Sequence, residues 1–148
     1  MNLNRREAMV TGAAGMALAL VPAAVLAQDA AEAPEQTADE AIAEFADGAE
    51  VVEGEGITLT APEIAENGNT VPVSVDAPGA AEIMLIATGN PTAGVARFKF
   101  GEASGAQMAS TRIRLAKTQD IIALAKMTDG SVVRTASNIK VTIGGCGG

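Results

Sequence analysis

From Val51 onward the chain is written in short β-branched and apolar runs, each closed by residues that turn the backbone, and this alternation leaves few architectures open. The runs cover residues 57–59, 71–75, 82–88, 96–100, 107–115, 119–127 and 131–143. Between them stand Glu66-Asn67-Gly68-Asn69, Pro78-Gly79, Gly89-Asn90-Pro91, the stretch 101–105 and Asp129-Gly130. Gly, Pro, Asn and Asp supply the dihedrals that tight turns require, so each cluster ends one strand and starts the next. Seven strands at this spacing predict a mainly β protein built as an antiparallel β-sandwich. Pro72 cannot donate to a ladder and predicts an edge or a strand start.

A different signal precedes the strands. Thr37 and Glu40 form a T-x-x-E capping box, which predicts a short N-terminal helix with Ile42, Phe45 and Ala46 on one face and Gly48 as its stop. Residues 28–36 are rich in Ala, Glu and Pro without apolar periodicity and read as a disordered leader. Residues 1–27 carry Arg5-Arg6, an Ala-rich apolar stretch and the small-residue pattern Val25-Leu26-Ala27, which predicts a signal peptide cut between Ala27 and Gln28. A membrane anchor is the rival, because a span needs about 20 apolar residues. The dominance of weakly apolar Ala and Gly and the A-x-A-like site argue against it. Arg5-Arg6 is similar to the twin-arginine export signal, although Ala8 stands where that pattern has a bulky apolar residue and leaves the general secretory route open. Both routes predict the periplasm. The domain organisation expected is therefore signal peptide 1–27, leader 28–36, β-sandwich 37–143 and C-terminal arm 144–148.

Composition removes most function classes. The formal net charge of the 148 residues is −8, with fourteen acidic and no basic residues over 28–82, then three acidic and eight basic from Ile83 onward. Nucleic-acid binding draws its affinity from clustered Lys and Arg, so no nucleic-acid partner is expected. Aromatic residues make up 2% of the chain, and Phe45, Phe98 and Phe100 are the only rings. The core must then come from Ile, Val, Leu, Met and Ala, and a thin core of this kind suits a chain completed by a partner. There is no His, Tyr or Trp. A Ser-His-Asp or Cys-His arrangement is impossible within the chain, and a lone thiolate lacks the further ligands of an ordinary zinc or copper site. No Gly-rich phosphate loop with a Lys is present either. Neither a cofactor, a metal nor an enzymatic activity is expected.

One nucleophile remains. The strand that includes Lys140-Val141-Thr142-Ile143 runs into Gly144-Gly145-Cys146-Gly147-Gly148, and Cys146 is the only cysteine. Four glycines around one thiol keep wide backbone freedom and remove every side chain that would hinder entry into a narrow cleft. At about 3.3–3.6 Å per extended residue, residues 144–146 can carry the sulfur roughly 10 Å beyond the last strand. No neighbouring residue activates the thiol, and an ordinary Cys has a pKa near 8.5, so activation must come from whatever enzyme receives the arm. A single Cys in an oxidising compartment forms either an interchain disulfide or a reactive free thiol. The glycine tether favours the reactive thiol, because a structural bridge gains nothing from it. The alternative is an exported immunoglobulin-like interaction module whose Cys146 forms an intermolecular disulfide. A carrier whose terminal Gly147-Gly148 is converted to a thiocarboxylate needs ATP and cytosolic enzymes, which an export signal opposes.

The terminal Gly144-Gly145-Cys146-Gly147-Gly148, the strand residues 140–143 before it, and Ala65-Glu66-Asn67-Gly68-Asn69-Thr70-Val71-Pro72-Val73 together resemble the SoxY family of thiosulfate-oxidising sulfur carriers. The resemblance covers the chain from about Thr37, and only the terminal motif is highly specific. It implies an immunoglobulin-like sandwich that pairs with a second small β-subunit, SoxZ. It further implies that the c-type haem enzyme SoxAX conjugates thiosulfate to the cysteine as an S-thiosulfonate, and that SoxB releases sulfate hydrolytically. Where a SoxCD sulfane dehydrogenase is present, it oxidises the sulfane sulfur that is left. Of the family's functional residues Cys146 carries over as the site of covalent attachment, with Gly144, Gly145, Gly147 and Gly148 as its arm.

Overall fold

Caps and turns decide where each element begins and stops. The computed structural model describes residues 35–142; the expected signal peptide, most of the leader and the glycine-framed arm lie outside them. Helix α1 runs Ala38–Ala46 behind the capping box read from the sequence. The Glu40 amide donates to Thr37 Oγ1 at 3.3 Å, and the Thr37 amide donates to the Glu40 carboxylate at 2.8 Å. The Thr37 amide and the Thr37 hydroxyl, which also donates to the Glu40 carboxylate at 2.8 Å, hold the Glu40 carboxyl below its ordinary range, since both bonds favour the ionised form. The helix ends at Asp47, a left-handed residue with φ 51, one position before the expected Gly48. Asp tolerates this conformation better than most residues, and Gly48 follows it with φ 82.

Nine strands follow among the described residues: β1 (Val51–Glu53), β2 (Thr58–Thr60), β3 (Ile64–Ala65), β4 (Val71–Asp76), β5 (Ala80–Ala87), β6 (Gly94–Lys99), β7 (Met108–Ile113), β8 (Gln119–Met127) and β9 (Val132–Val141). One sheet has the order β1-β9-β8-β5-β6, with β3 also on β9, and the other has the order β2-β4-β7. All seven runs expected from the sequence contain a strand. The strand pairs are antiparallel, with one isolated parallel bridge joining Gln36 to Thr92, except at the two additions, β1 and β3, which both lie parallel to β9. They are two short pieces of one edge, registered against opposite ends of β9 through Val51↔Val132 and Ile64↔Lys140. Between them the chain visits the other sheet as β2.

The period-2 alternation of strands places Val71, Val73 and Val75 of β4 against Ile83 and Leu85 of β5, Ile121 and Ala123 of β8 and Ile139 of β9, which fills the space between the sheets. Strands β5 and β8 are apolar on both faces, as strands covered on both sides must be. Their other face, with Met84, Ile86, Ile122 and Leu124, packs with Val132 under Ala41 and Phe45 of α1. The architecture is thus helix on sheet on sheet, and the helix that the sequence marks only by its cap closes a second core. Arg97 of β6 ties the outer layer down. Its guanidinium lies 5.4 Å from the Phe45 ring centroid and pairs with Glu82 at 3.2 Å and Glu44 at 3.6 Å. Glu82 Oε1 accepts no aligned hydrogen bond, so its contact with Arg97 is one of charge proximity.

The turns follow their residues. Pro78-Gly79 closes with the Ala80 amide on the Ala77 carbonyl at 3.0 Å and Gly79 at φ 85, the left-handed position only Gly fills without strain. At the next hairpin the Ser131 amide and hydroxyl donate to Asp129 at 2.8 and 2.6 Å, which holds the Asp129 carboxyl below its ordinary range. Pro72 stands near the start of β4, where β2, paired only with residues 74–76, no longer flanks the strand. That is the start and local edge its missing N–H requires.

Candidate functional site

Cys146, Gly144, Gly145, Gly147 and Gly148 lie outside the described residues, so the site is built here from the platform that carries them. Strand β9 is the longest, with ten residues, and it is bonded on both sides to its end. On one side the Val141 amide donates to Thr118 Oγ1 at 3.0 Å, and that hydroxyl donates back to the Val141 carbonyl at 3.4 Å. On the other side the Lys140 amide donates to the Glu63 carbonyl at 2.9 Å and the Thr142 amide to the Ala65 carbonyl at 3.0 Å. The short strand β3 therefore has a purpose the sequence does not announce. It pins the last described residues of β9.

The turn before β4 packs against the same place. Asn67 Oδ1 accepts the Asn69 amide at 2.9 Å, which shapes the turn and gives Asn67 a structural task. The Leu115 amide donates to the Gly68 carbonyl at 2.7 Å. A Cβ on Gly68 would stand 2.6 Å from the Leu115 carbonyl oxygen and 3.0 Å from Val141 Cγ1, so only glycine lets the turn lie between them. Here the stretch 65–73 and residues 140–142, two of the three segments that carried the family resemblance, meet in space.

Two further loops are fastened beside it by Gln119, 6% exposed and the one buried polar residue among those described. Its Oε1 accepts the Gly89 amide at 2.7 Å, and its Nε2 donates to Asn90 Oδ1 and to the Lys117 carbonyl, each at 3.0 Å. Asn90 Oδ1 also accepts the Ala116 amide at 3.0 Å, while its Nδ2 donates to the Arg114 carbonyl at 2.7 Å. Sequence reasoning marks Asn90 only as a turn residue, Gln119 only as the start of an apolar run and Ala65 only within the family resemblance, and passes over Thr118. A Gln at the head of an apolar run is a weak signal of a buried polar network, and Thr118 carries none.

Arg112 faces outward from the three-stranded sheet beside Pro72, in a groove with Ser74 and Ser110. Arg114 and Lys117 lie exposed on the loop beside Val141. Among the described residues no three His, Cys, Asp or Glu side chains could hold a metal ion, and no helix is long and apolar enough to cross a membrane.

The family model described as the sulfur oxidation protein SoxY matches residues 42–146, from α1 through the cysteine. The chain belongs to the SoxY family. The sulfur carrier protein SoxY of Chlorobium limicola f thiosulfatophilum is similar over 71% of this chain and 96% of its own, with 36% identity and a TM-score of 0.63. A superoxide reductase (neelaredoxin) of Ignicoccus hospitalis is similar over 62% of this chain and 94% of its own, with 15% identity and a TM-score of 0.55. At that identity the likeness is one of fold alone. No curated protein matches the chain. Because the SoxY match extends to residue 146, Cys146 lies inside the region the family shares.

Proposed function

We propose that the chain is a covalent sulfur carrier, which holds thiosulfate-derived sulfur on Cys146 and presents it to partner enzymes. The observation that carries this reading is membership of the SoxY family over a stretch that includes the chain's only cysteine. The platform supports it. Strand β9 is bonded on both sides as far as Val141, and Thr142 is held to Ala65, which gives a fixed base four residues before Cys146 in the sequence.

The chemistry expected on Cys146 balances without a catalytic group from this chain. Its thiolate and thiosulfate join through a new S–S bond as an electron pair passes to a haem enzyme of the SoxAX type, giving Cys–S–S–SO3⁻. A SoxB-type hydrolase then adds water across the S–SO3⁻ bond, releasing sulfate and two protons and leaving the persulfide. A SoxCD-type enzyme oxidises that sulfane sulfur where it is present. The chain's role is that of a carrier and not a catalyst, in a heterodimer with a SoxZ-like subunit. Export to the periplasm through the twin-arginine route fits Arg5-Arg6 and predicts that replacing both with Lys strands the two subunits together in the cytoplasm.

The test is haem reduction in a mixture of the chain, a SoxZ-like subunit, a SoxAX-type enzyme and thiosulfate. Reduction should need the wild-type chain in complex with the SoxZ-like subunit and should vanish with Cys146→Ser. Equal reduction with the variant would contradict the carrier role, and equal reduction without the second subunit would contradict the heterodimer.

A further inference from the structure

Among the described residues, every sheet edge but one is protected. An edge strand presents a row of unpaired N–H and C=O groups, which short length, bulges and charged side chains keep from meeting another chain. On the larger sheet the edges are β1 and β3, three and two residues long, and β6. The pairing of β6 with β5 is broken by a register shift between Leu85 and Ile86, and β6 exposes Arg97 and Lys99. On the smaller sheet β2 has three residues, whereas β7 has six, with no Pro, no bulge and no Lys. Among the described residues β7 pairs with β4 alone.

The register identifies which backbone groups are left over. Strands β4 and β7 pair antiparallel from Val71↔Ile113 to Asp76↔Met108, and one step further the Ala77 amide donates to the Gln107 carbonyl at 3.0 Å. Bonded and non-bonded pairs alternate along an antiparallel ladder, so the odd-numbered residues of β7 turn their amides and carbonyls to β4. Those of Met108, Ser110 and Arg112 point off the edge. Their side chains share the outer face of the sheet with Ser74 and Asp76, where Met108 is 56% exposed and Ser110 Oγ lies 2.8 Å from Ser74 Oγ.

We propose that two copies of the chain pair antiparallel through β7, about a twofold axis at Ser110, which joins their smaller sheets into one sheet of six strands. The edge is complementary to itself. With Ser110 opposite Ser110 of the second copy, Met108 stands opposite Arg112 of the second copy, and every free amide and carbonyl of the three residues finds a partner. The charges agree with this register. Asp76 flanks Met108 on one side in the ladder, and Arg112 of the second copy flanks it on the other. Their Cα atoms then stand about 10 Å apart, which an Arg and an Asp side chain span across the methionine. Within one copy Arg112 is registered with Pro72, at the far end of β7 from Asp76, and neither charge has an ion-pair partner among the described residues. A different strand would have to bring its own acid for Arg112 and its own base for Asp76, whereas a second copy supplies both. This association goes beyond the carrier reading and does not depend on it.

The test reads the edge directly. Amide hydrogen exchange by NMR and sedimentation are measured on the intact chain under reductant, which excludes a Cys146 disulfide. Both are followed over a range of concentrations and again with a SoxZ-like subunit added. A dimer should form as concentration rises. The amides of Ala109, Thr111 and Ile113 should be protected throughout by β4, whereas those of Met108, Ser110 and Arg112 should gain protection only with dimerisation. Asp76→Arg and Arg112→Asp, both at exposed positions, should each raise the dimer dissociation constant about five- to fifty-fold, because symmetry counts every exposed pair twice. The double variant restores opposite charges and should recover most of that loss. A chain that stays monomeric, a dimer in which the three even-numbered amides exchange freely, or a double variant no better than either single one would overturn the proposal. Protection of those amides that requires the SoxZ-like subunit and ignores concentration would overturn it as well, by giving the edge to a different partner. Each of these results would leave the carrier reading untouched.

Discussion

A single missing Cβ fixes the geometry at the end of β9. Gly68 lies where an added carbon would meet the Leu115 carbonyl oxygen at 2.6 Å, and that oxygen belongs to backbone which cannot swing aside. Gly68→Ala should therefore destabilise the protein by about 1–3 kcal/mol, as overpacking against fixed atoms does. Gly101→Ala, with nothing within 4 Å, should change little. Urea unfolding of the two variants checks this, and equal midpoints would contradict the account of the turn. Glu40 offers a second residue-scale test. Its folded pKa lies below the ordinary value of 4.5, so its contribution is present above that value and is lost as pH falls through the folded pKa. Thermal melts should show a drop in stability on acidification below about pH 4.5 that is smaller in Glu40→Gln. An unchanged acid limb in the variant would show that the cap does not couple to pH.

At the scale of elements, legibility followed the range of the interactions. Turn residues act over two to four positions, and the seven strands they bound were readable, as was α1 from Thr37 and Glu40. Strands β1 and β3 were not, because three and two residues carry no period and their pairing is with β9, far along the chain. Ile64, 58% exposed, even contradicts the rule that apolar residues mark a core. The second core was half legible, since Phe45 was read on one helix face with Ile42 and Ala46 while its counterparts Met84 and Leu124 each looked like part of a continuous apolar run. If α1 is held by that core, Phe45→Ala should cost about 3–5 kcal/mol, the range for losing a buried Phe. It should also expose α1 amides to hydrogen exchange before those of β8. Simultaneous exchange of both elements would mean that the helix layer is not a separable unit.

For the whole molecule, sequence and structure contribute different halves of one argument. The sequence isolates Cys146 by elimination, because a chain without His and with one thiol has a single nucleophile for sulfur chemistry. It cannot show what holds the strand that leads to that thiol, since Ala65 and Gly68 on one side and Leu115 and Thr118 on the other lie in two segments far apart along the chain. The structure supplies that platform, and the family match joins the two by running from the helix through the cysteine. The central claim is that sulfur is carried covalently on Cys146, and the most direct measurement is the intact mass of the protein from thiosulfate-grown cells, without reductant, beside a Cys146→Ser variant. The account predicts mass increments matching a thiosulfonate or added sulfur atoms, lost on reduction and absent from the variant. A bare thiol, or only a Cys146–Cys146 dimer under every condition, would contradict it.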